Sequence, residues 1–440
     1  MFRRAILWPA ILSVLVVTPC LAASPDPDMH AALAEAALTA CNPPAGCALS
    51  GFQREEVVPG VVHYSAVLQV GPGEYEKIGI HRVVRENRAG FPLKQRDRIF
   101  LQHGDVKDFV GMYLPSLYSD HVADDFGLAI WLARAQVDVW GIDQAWARAP
   151  QELDDYNFME NWGLQFQIDS LRSALSVARE VRYLMGQPGD RFNLLGYSSG
   201  SMTGYALLNL ESQLPRKERQ VQGYVSADMS YDALDPVWNA NWCADIQLYI
   251  PAMDAGEYGS FTAFRTAGLL ALSAPEGPSP IFPGFTNMQV AYYFGAAPLW
   301  GESPGHFLAG VFDETGFPIG LQYVTTPQWL DFMATGFDWE PTRFFYDYDE
   351  VLCNEFDSPF DDHMADITIP VFNWGAAGGI GPYGTATLDL LGSKDVSEYL
   401  VSTWPAEDIW RDFAHIDLFY GHNAPELAWP PLLEWIQKHR

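Results

Sequence analysis

Hydrophobic positions change their period several times along the chain. Between residues 166 and 185, apolar side chains recur at Ile168, Leu171, Leu175, Ala178, Val181 and Leu184, the three-to-four spacing of one helix face. Pro188-Gly189 ends that pattern, and a short apolar run at 192–195 follows. Comparable runs occur at 98–101, 137–142, 221–227 and 369–374. They are too short for helices and too uniformly apolar for half-exposed strands, so they predict strands covered on both faces. Residues 61–70 and 75–85 predict a strand pair joined by a turn at Gly71-Pro72-Gly73. Helical segments are expected at 126–136, 388–399 and 425–438. Strands alternating with helices of this length imply an α/β architecture, a mostly parallel sheet flanked by helices.

From 229 to 366 the alternation stops. That stretch is rich in Trp, Tyr, Phe, Pro and Gly, and its only Lys or Arg residues are Arg265 and Arg343. A region of this size between two strands of one sheet is an insertion, expected to pack over the carboxyl ends of the strands, where such sheets bind ligands. The expected organisation is therefore a leader at 1–23, an N-terminal arm at 24–60, the first part of the core at 61–228, a cap or lid insertion at 229–366 and the second part of the core at 367–440. The leader reading rests on Arg3-Arg4, an apolar stretch too short to span a bilayer, and Leu21-Ala22-Ala23-Ser24. It implies export, to a secreted or periplasmic location, without a stable membrane span.

Charge and cysteine content narrow the picture. The net charge of −29 repels nucleic acid and anionic headgroups over most of the surface, so no nucleic-acid partner is expected. Beyond the leader four cysteines remain, an even count that in an exported chain points to two disulfides. Cys41 with Cys47 and Cys243 with Cys353 is the pairing taken here among three possible. No Cys/His cluster has zinc spacing, so neither metal nor cofactor is expected. Oligomeric state is not legible.

The chemistry centres on Gly196-Tyr197-Ser198-Ser199-Gly200. Of its two serines only Ser198 has glycine at both −2 and +2, and the turn joins a predicted strand to a predicted helix, the setting of a nucleophile elbow. A serine hydroxyl needs a base, a carboxylate to orient the base, and donors for the oxyanion. After the elbow the histidines are His306, His363, His415, His422 and His439. The first two lie in the insertion and the last next to the end of the sequence, leaving His415 and His422.

Three motifs resemble the acid lipases (lysosomal and gastric lipases) of the α/β-hydrolase fold: Phe100-Leu101-Gln102-His103-Gly104, the elbow itself, and His415-Ile416-Asp417-Leu418-Phe419-Tyr420-Gly421-His422-Asn423-Ala424-Pro425. Val137-Asp138-Val139-Trp140 also fits that family's next strand. The likeness spans residues 60–440 outside the insertion. It implies a serine esterase with His415 as base, His422 in a lesser role and Asp417 as a structural neighbour; from its place before Pro425, Asn423, or else His422, is expected to cap the last helix. By position, the backbone N–H groups of Ser199 and Asp105 are the expected oxyanion donors, with the Asp105 side chain pointing away. Tyr197 and His103 are the expected substrate contacts.

The acid departs from the family pattern. Where a W-N-G-G-N-D-like segment would supply it, this chain reads Phe372-Asn373-Trp374-Gly375-Ala376-Ala377-Gly378-Gly379-Ile380-Gly381-Pro382, without a carboxylate. Asp228, at the end of the preceding predicted strand, is the expected replacement, with Asp232, Asp389 and Asp395 as alternatives. The resulting expectation is hydrolysis of a neutral, apolar or aromatic ester through an acyl-enzyme. A non-hydrolytic binding protein on the same fold, or a triad used for amides or acyl transfer, stays open.

Overall fold

The structure is a computed structural model that describes residues 27–41, 46–232, 235–298 and 305–440; the expected leader lies outside them. Along the first half of the chain run strands β1 (Ala48–Val58), β2 (Val61–Gln69), β3 (Lys77–Arg88), β4 (Asp97–Gln102), β5 (Val137–Asp143), β6 (Phe192–Tyr197) and β7 (Val221–Ala227). After the insertion come β8 (Val371–Ala376) and β9 (Val396–Val401). They lie side by side in the order β1-β2-β3-β5-β4-β6-β7-β8-β9, with Phe91–Pro92 as a short extension paired to β3. Pairing is antiparallel from β1 to β3 and between β3 and β5, and parallel from β5 through β9.

Both faces are covered, which is why the central strands read as continuous apolar runs. On one face lie helices α1 (Met29–Thr39), α3 (Leu164–Leu184) and α4 (Ser199–Ser212); on the other lie α2 (Leu128–Arg134) and, near the C-terminus, Trp429–Lys438. Strand residues alternate between the two cores: Phe100 and Leu194 face the first, Ile99, Leu101 and Leu195 the second. All five are fully buried, each stabilising the fold by about 1.5–3 kcal/mol relative to exposure.

Two expected elements differ. Residues 48–58, read as part of an arm, form the edge strand β1. Most of its side chains are exposed on both faces, so no apolar alternation marks it. Residues 388–399, read as a helix, are the end of the helix Gly381–Asp389 and the start of β9. Leu388 and Leu391 stand at helical spacing, but Gly392 breaks the run, and Val396–Val401 pairs as a half-exposed edge strand.

The stretch without periodicity folds into helices α5 (Pro236–Asp254), α6 (Phe264–Ser273), α7 (Asn287–Ala296), α8 (Thr326–Ala334) and α9 (Thr342–Leu352). Two short ribbons join them, Gly259–Phe261 with Trp339–Pro341 and Gly310–Phe312 with Pro318–Leu321. Cys243 in α5 and Cys353 after α9 form a disulfide with a Cα–Cα distance of 5.0 Å, linking the insertion's ends. Cys41 and Cys47 form the second, at 5.6 Å. The insertion grips the core through Lys107, whose buried ammonium donates to Phe332 O and Thr335 Oγ1, both at 2.7 Å.

Candidate active site

Strand β6 delivers Tyr197 to the carboxyl edge of the sheet, and α4 starts at Ser199. Ser198 between them has φ +55°, a left-handed conformation that costs a non-glycine residue of order 1–3 kcal/mol. The turn is too tight for side chains at its flanks: a Cβ at Gly196 would lie 2.4 Å from Gly200 O, and one at Gly200 would lie 2.4 Å from His103 O. Gly104 lets the loop after β4 press against the serine, since a Cβ there would sit 2.6 Å from Ser198 Cβ. Among the described residues the backbone N–H groups of Ser199 and Asp105 have no hydrogen-bond acceptor, leaving both donors unused beside the serine.

The next strand, β7, ends at Ala227, and Asp228 follows, again left-handed at φ +52°. Its carboxylate is completely buried. Oδ1 accepts from Ala376 N at 2.7 Å and Gly381 N at 2.8 Å. Oδ2 accepts from Ile380 N at 2.9 Å and lies 2.7 Å from His415 Nδ1. The glycine-rich segment after β8, which carries no carboxylate of its own, wraps around one supplied by its neighbour. Its glycines are required there: Cβ atoms at Gly375, Gly379 and Gly381 would lie 2.7, 2.2 and 2.7 Å from the Asp228 oxygens. Three backbone N–H groups thus fix the position of the carboxylate against the histidine ring.

His415 is held on every side. Its backbone N–H donates to His306 O at 3.3 Å, and that of Ile416 to Phe307 O at 2.7 Å, so the insertion fixes the histidine turn. The ring stacks on Tyr197, with centroids 4.6 Å apart. Asp417 fastens the same turn, its Oδ2 accepting from Ala309 N at 2.9 Å and Ala414 N at 3.0 Å. Burial pushes its carboxyl up to about 8.

Ser198, His415, Tyr197 and Asp105 line one cavity of about 210 Å³. Phe264, Phe294, Phe307, Phe332 and Phe345 make most of its remaining wall apolar, all five supplied by the insertion. The side chain of Asp105 does not point away as expected. It lines the cavity, where Oδ1 accepts from Ser199 Oγ at 2.5 Å, and it is hydrogen-bonded to Glu340. Glu340, fully buried, also accepts from Val106 N at 2.9 Å. Burial pushes Asp105 up to about 6, and burial together with Asp105 raises Glu340 well above the carboxylate range. Two carboxyls in contact and out of water hold a proton between them, which is how the site accommodates Asp105 beside the elbow.

The remaining expected residues separate cleanly. His103 is buried away from the cavity, its Nδ1 2.8 Å from Gly104 O and its Nε2 accepting from Gln144 N at 3.0 Å, so it shapes the loop and does not face a substrate. His422 caps no helix; its Nδ1 lies 2.8 Å from Tyr323 O. Asn423 makes no capping hydrogen bond at the helix it precedes. Asp232 accepts from Asn354, and Asp395 pairs with Lys438 and His439, both away from His415. Among the described residues one group, Cys243, Cys353 and Glu355, has metal-ligand spacing, and its two sulfurs are joined in the disulfide. Glu340 escaped the sequence reading because it lies in the aperiodic insertion.

Comparison with solved structures places this architecture. A candidate lipase from Sulfolobus solfataricus superposes with a TM-score of 0.59 at 16% identity, over 89% of this chain and 100% of that one. The chain has the α/β-hydrolase fold. Monoglyceride lipase from Saccharomyces cerevisiae (13% identity, 89% of this chain and 96% of that one, TM-score 0.42) is a more distant match. So is a laboratory-evolved potato epoxide hydrolase (11%, 89% and 100%, TM-score 0.41). No family model matches the chain, and no curated protein matches it in sequence. Membership of the acid lipases therefore remains a resemblance of motifs, while the α/β-hydrolase fold is a property of the structure.

Proposed function

We propose that the chain is a serine hydrolase of carboxylic esters, acting through Ser198, His415 and Asp228. The observation that carries this reading is the 2.7 Å contact between Asp228 Oδ2 and His415 Nδ1, in a histidine that shares a cavity with a serine at an elbow. A carboxylate on Nδ1 sets the tautomer that leaves Nε2 free to accept a proton. Ser198 Oγ forms a bond to the ester carbonyl carbon as His415 Nε2 takes the hydroxyl proton. The carbonyl π electrons move to oxygen, where the N–H groups of Ser199 and Asp105 donate to the oxyanion. Collapse breaks the bond to the alkoxy oxygen, which leaves as the alcohol with the proton from His415. Water then repeats the sequence on the acyl-enzyme, releasing the acid and restoring Ser198.

The wall of the cavity directs the substrate class. Five phenylalanines favour an apolar or aromatic acyl group, and the Asp105–Glu340 pair opposes a negative one. The insertion, 229–366, acts as the cap over this pocket. Two disulfides, the leader-like N-terminus and the absence of any described helix long and apolar enough to cross a membrane fit export to an oxidising compartment. Labelling with a fluorophosphonate followed by peptide mapping tests the chemistry: modification is expected at Ser198 and lost in Ser198→Ala. An unlabelled Ser198, with ester turnover unaffected by its removal, would refute the reading.

A further inference from the structure

A second groove, of about 690 Å³, lies at the opposite edge of the sheet from Ser198. It is formed where β4, β6 and β7 begin and where α3 ends, and it takes lining residues from Arg98 in β4, Gln222 in β7 and Arg179 in α3. Ten of the chain's 26 Lys and Arg residues line it, with one lining side-chain carboxylate, Asp190; two of the ten, Arg182 and Arg440, are already paired to Asp138 and Asp97. The whole chain carries 55 Asp and Glu, so the excess of cations here runs against its overall composition.

Bringing like charges together is unfavourable, and the groove shows that cost. Burial and the neighbouring Arg216, Arg179 and Arg219 hold the Arg191 guanidinium below its usual range, with Glu211 opposing them. Burial, then Arg182, brings Arg98 down to about 10. Arg98 is nonetheless fixed in place, donating to Arg191 O at 2.9 Å and Gln222 Oε1 at 3.0 Å. Gln187 adds an independent sign. It lines the groove, it is 4% exposed, and its amide Nε2 has no acceptor among the described residues. An anchored guanidinium, exposed cations at the rim and an amide donor without an acceptor together form a site for several anionic oxygens. Guanidinium matches phosphate oxygens in pairs, and the volume is that of a small-molecule site, not of a duplex groove.

We propose that this groove is a second binding site, for a multiply charged phosphate-bearing anion, separated from the catalytic serine by the length of the strands. The anion is either a free polyphosphate or the headgroup of a phosphorylated lipid. The competing account is structural: cations near the C-terminal end of α3 balance the helix dipole and bind nothing.

Titration calorimetry of the full chain with inorganic tripolyphosphate, at low and high NaCl, distinguishes these accounts. Flotation with phosphatidylcholine vesicles, with and without phosphatidic acid, supplies the lipid arm. Binding of tripolyphosphate that weakens with salt identifies a site open to free anions; binding only to phosphatidic acid vesicles identifies the headgroup. The variant Arg96→Glu/Arg216→Glu/Lys217→Glu changes three exposed side chains of the groove and is expected to weaken either mode by about tenfold or more. Its ester turnover, expected unchanged, reports on folding. Should that variant misfold, Arg216→Glu alone is measured in its place. The proposal is overturned if the wild-type chain binds neither tripolyphosphate nor phosphatidic acid vesicles, or if the charge-reversed variants bind as tightly as wild type.

Discussion

Gly379 stands against Asp228 so closely that a Cβ added to it would lie 2.2 Å from the carboxylate Oδ2, the oxygen that meets His415. The carboxylate cannot swing aside freely, because Ala376, Ile380 and Gly381 donate to it. Gly379→Ala is therefore expected to displace the acid from the histidine without unfolding the sheet. A misplacement of this order lowers kcat by about 100-fold, while Asp228→Asn, which disrupts the tautomer, lowers it by about 10⁴-fold. Ester turnover with a circular-dichroism control checks both. Unchanged turnover in Asp228→Asn would remove Asp228 from the mechanism.

The Asp105–Glu340 pair predicts a pH effect on activity. Burial pushes Asp105 up to about 6, and its carboxylate belongs to the residue whose backbone N–H is the proposed oxyanion donor. As pH rises through 6 the charge appears and disfavours the transition state. Asp105→Asn keeps an acceptor for Ser199 Oγ but carries no charge. The ratio of kcat/KM for this variant to that of wild type is expected to rise between pH 5 and pH 8, read from paired pH profiles.

Asp417 predicts a stability effect. Its folded pKa is raised from the ordinary 3.8 to about 8, and its Oδ1 has no partner among the described residues. The folded chain keeps a proton that the unfolded chain releases near pH 4. This contribution is complete below that point and is lost as pH rises through 8. Asp417→Asn retains an oxygen for Ala309 N and Ala414 N, so its Tm relative to wild type is expected to climb across the same interval. Parallel thermal melts at several pH values measure it.

The Cys243–Cys353 bridge spans 110 residues and so encloses most of the insertion. In the loop-entropy account such a crosslink stabilises by about 4–5 kcal/mol. Cys243→Ser/Cys353→Ser is expected to lower stability toward denaturant by that order. Turnover should fall with it, since the insertion also holds the backbone of the histidine turn.

Features that depend on local pattern are legible in the residues alone. Strands β4 to β8 are buried on both faces and therefore spell continuous apolar runs, and α3 shows its stripe. The elbow is legible because a left-handed serine between a strand and a helix tolerates only glycine around it, and the histidine turn because its residues are contiguous. Edge strand β1 was hidden because exposure on both faces erases alternation, and β9 because it is only half-buried and directly follows the end of a helix. The setting of the carboxylate came from the fold. The sequence put Asp228 first but left Asp232 open, and the parallel pairing of β7 with β8 holds Asp228 against the loop that frames His415. The same contact explains the glycines at 375, 379 and 381, which have no local purpose. Glu340 faces Asp105 across 235 residues of chain. That proton-sharing pair arises from the burial of two distant acids together, which no periodicity encodes.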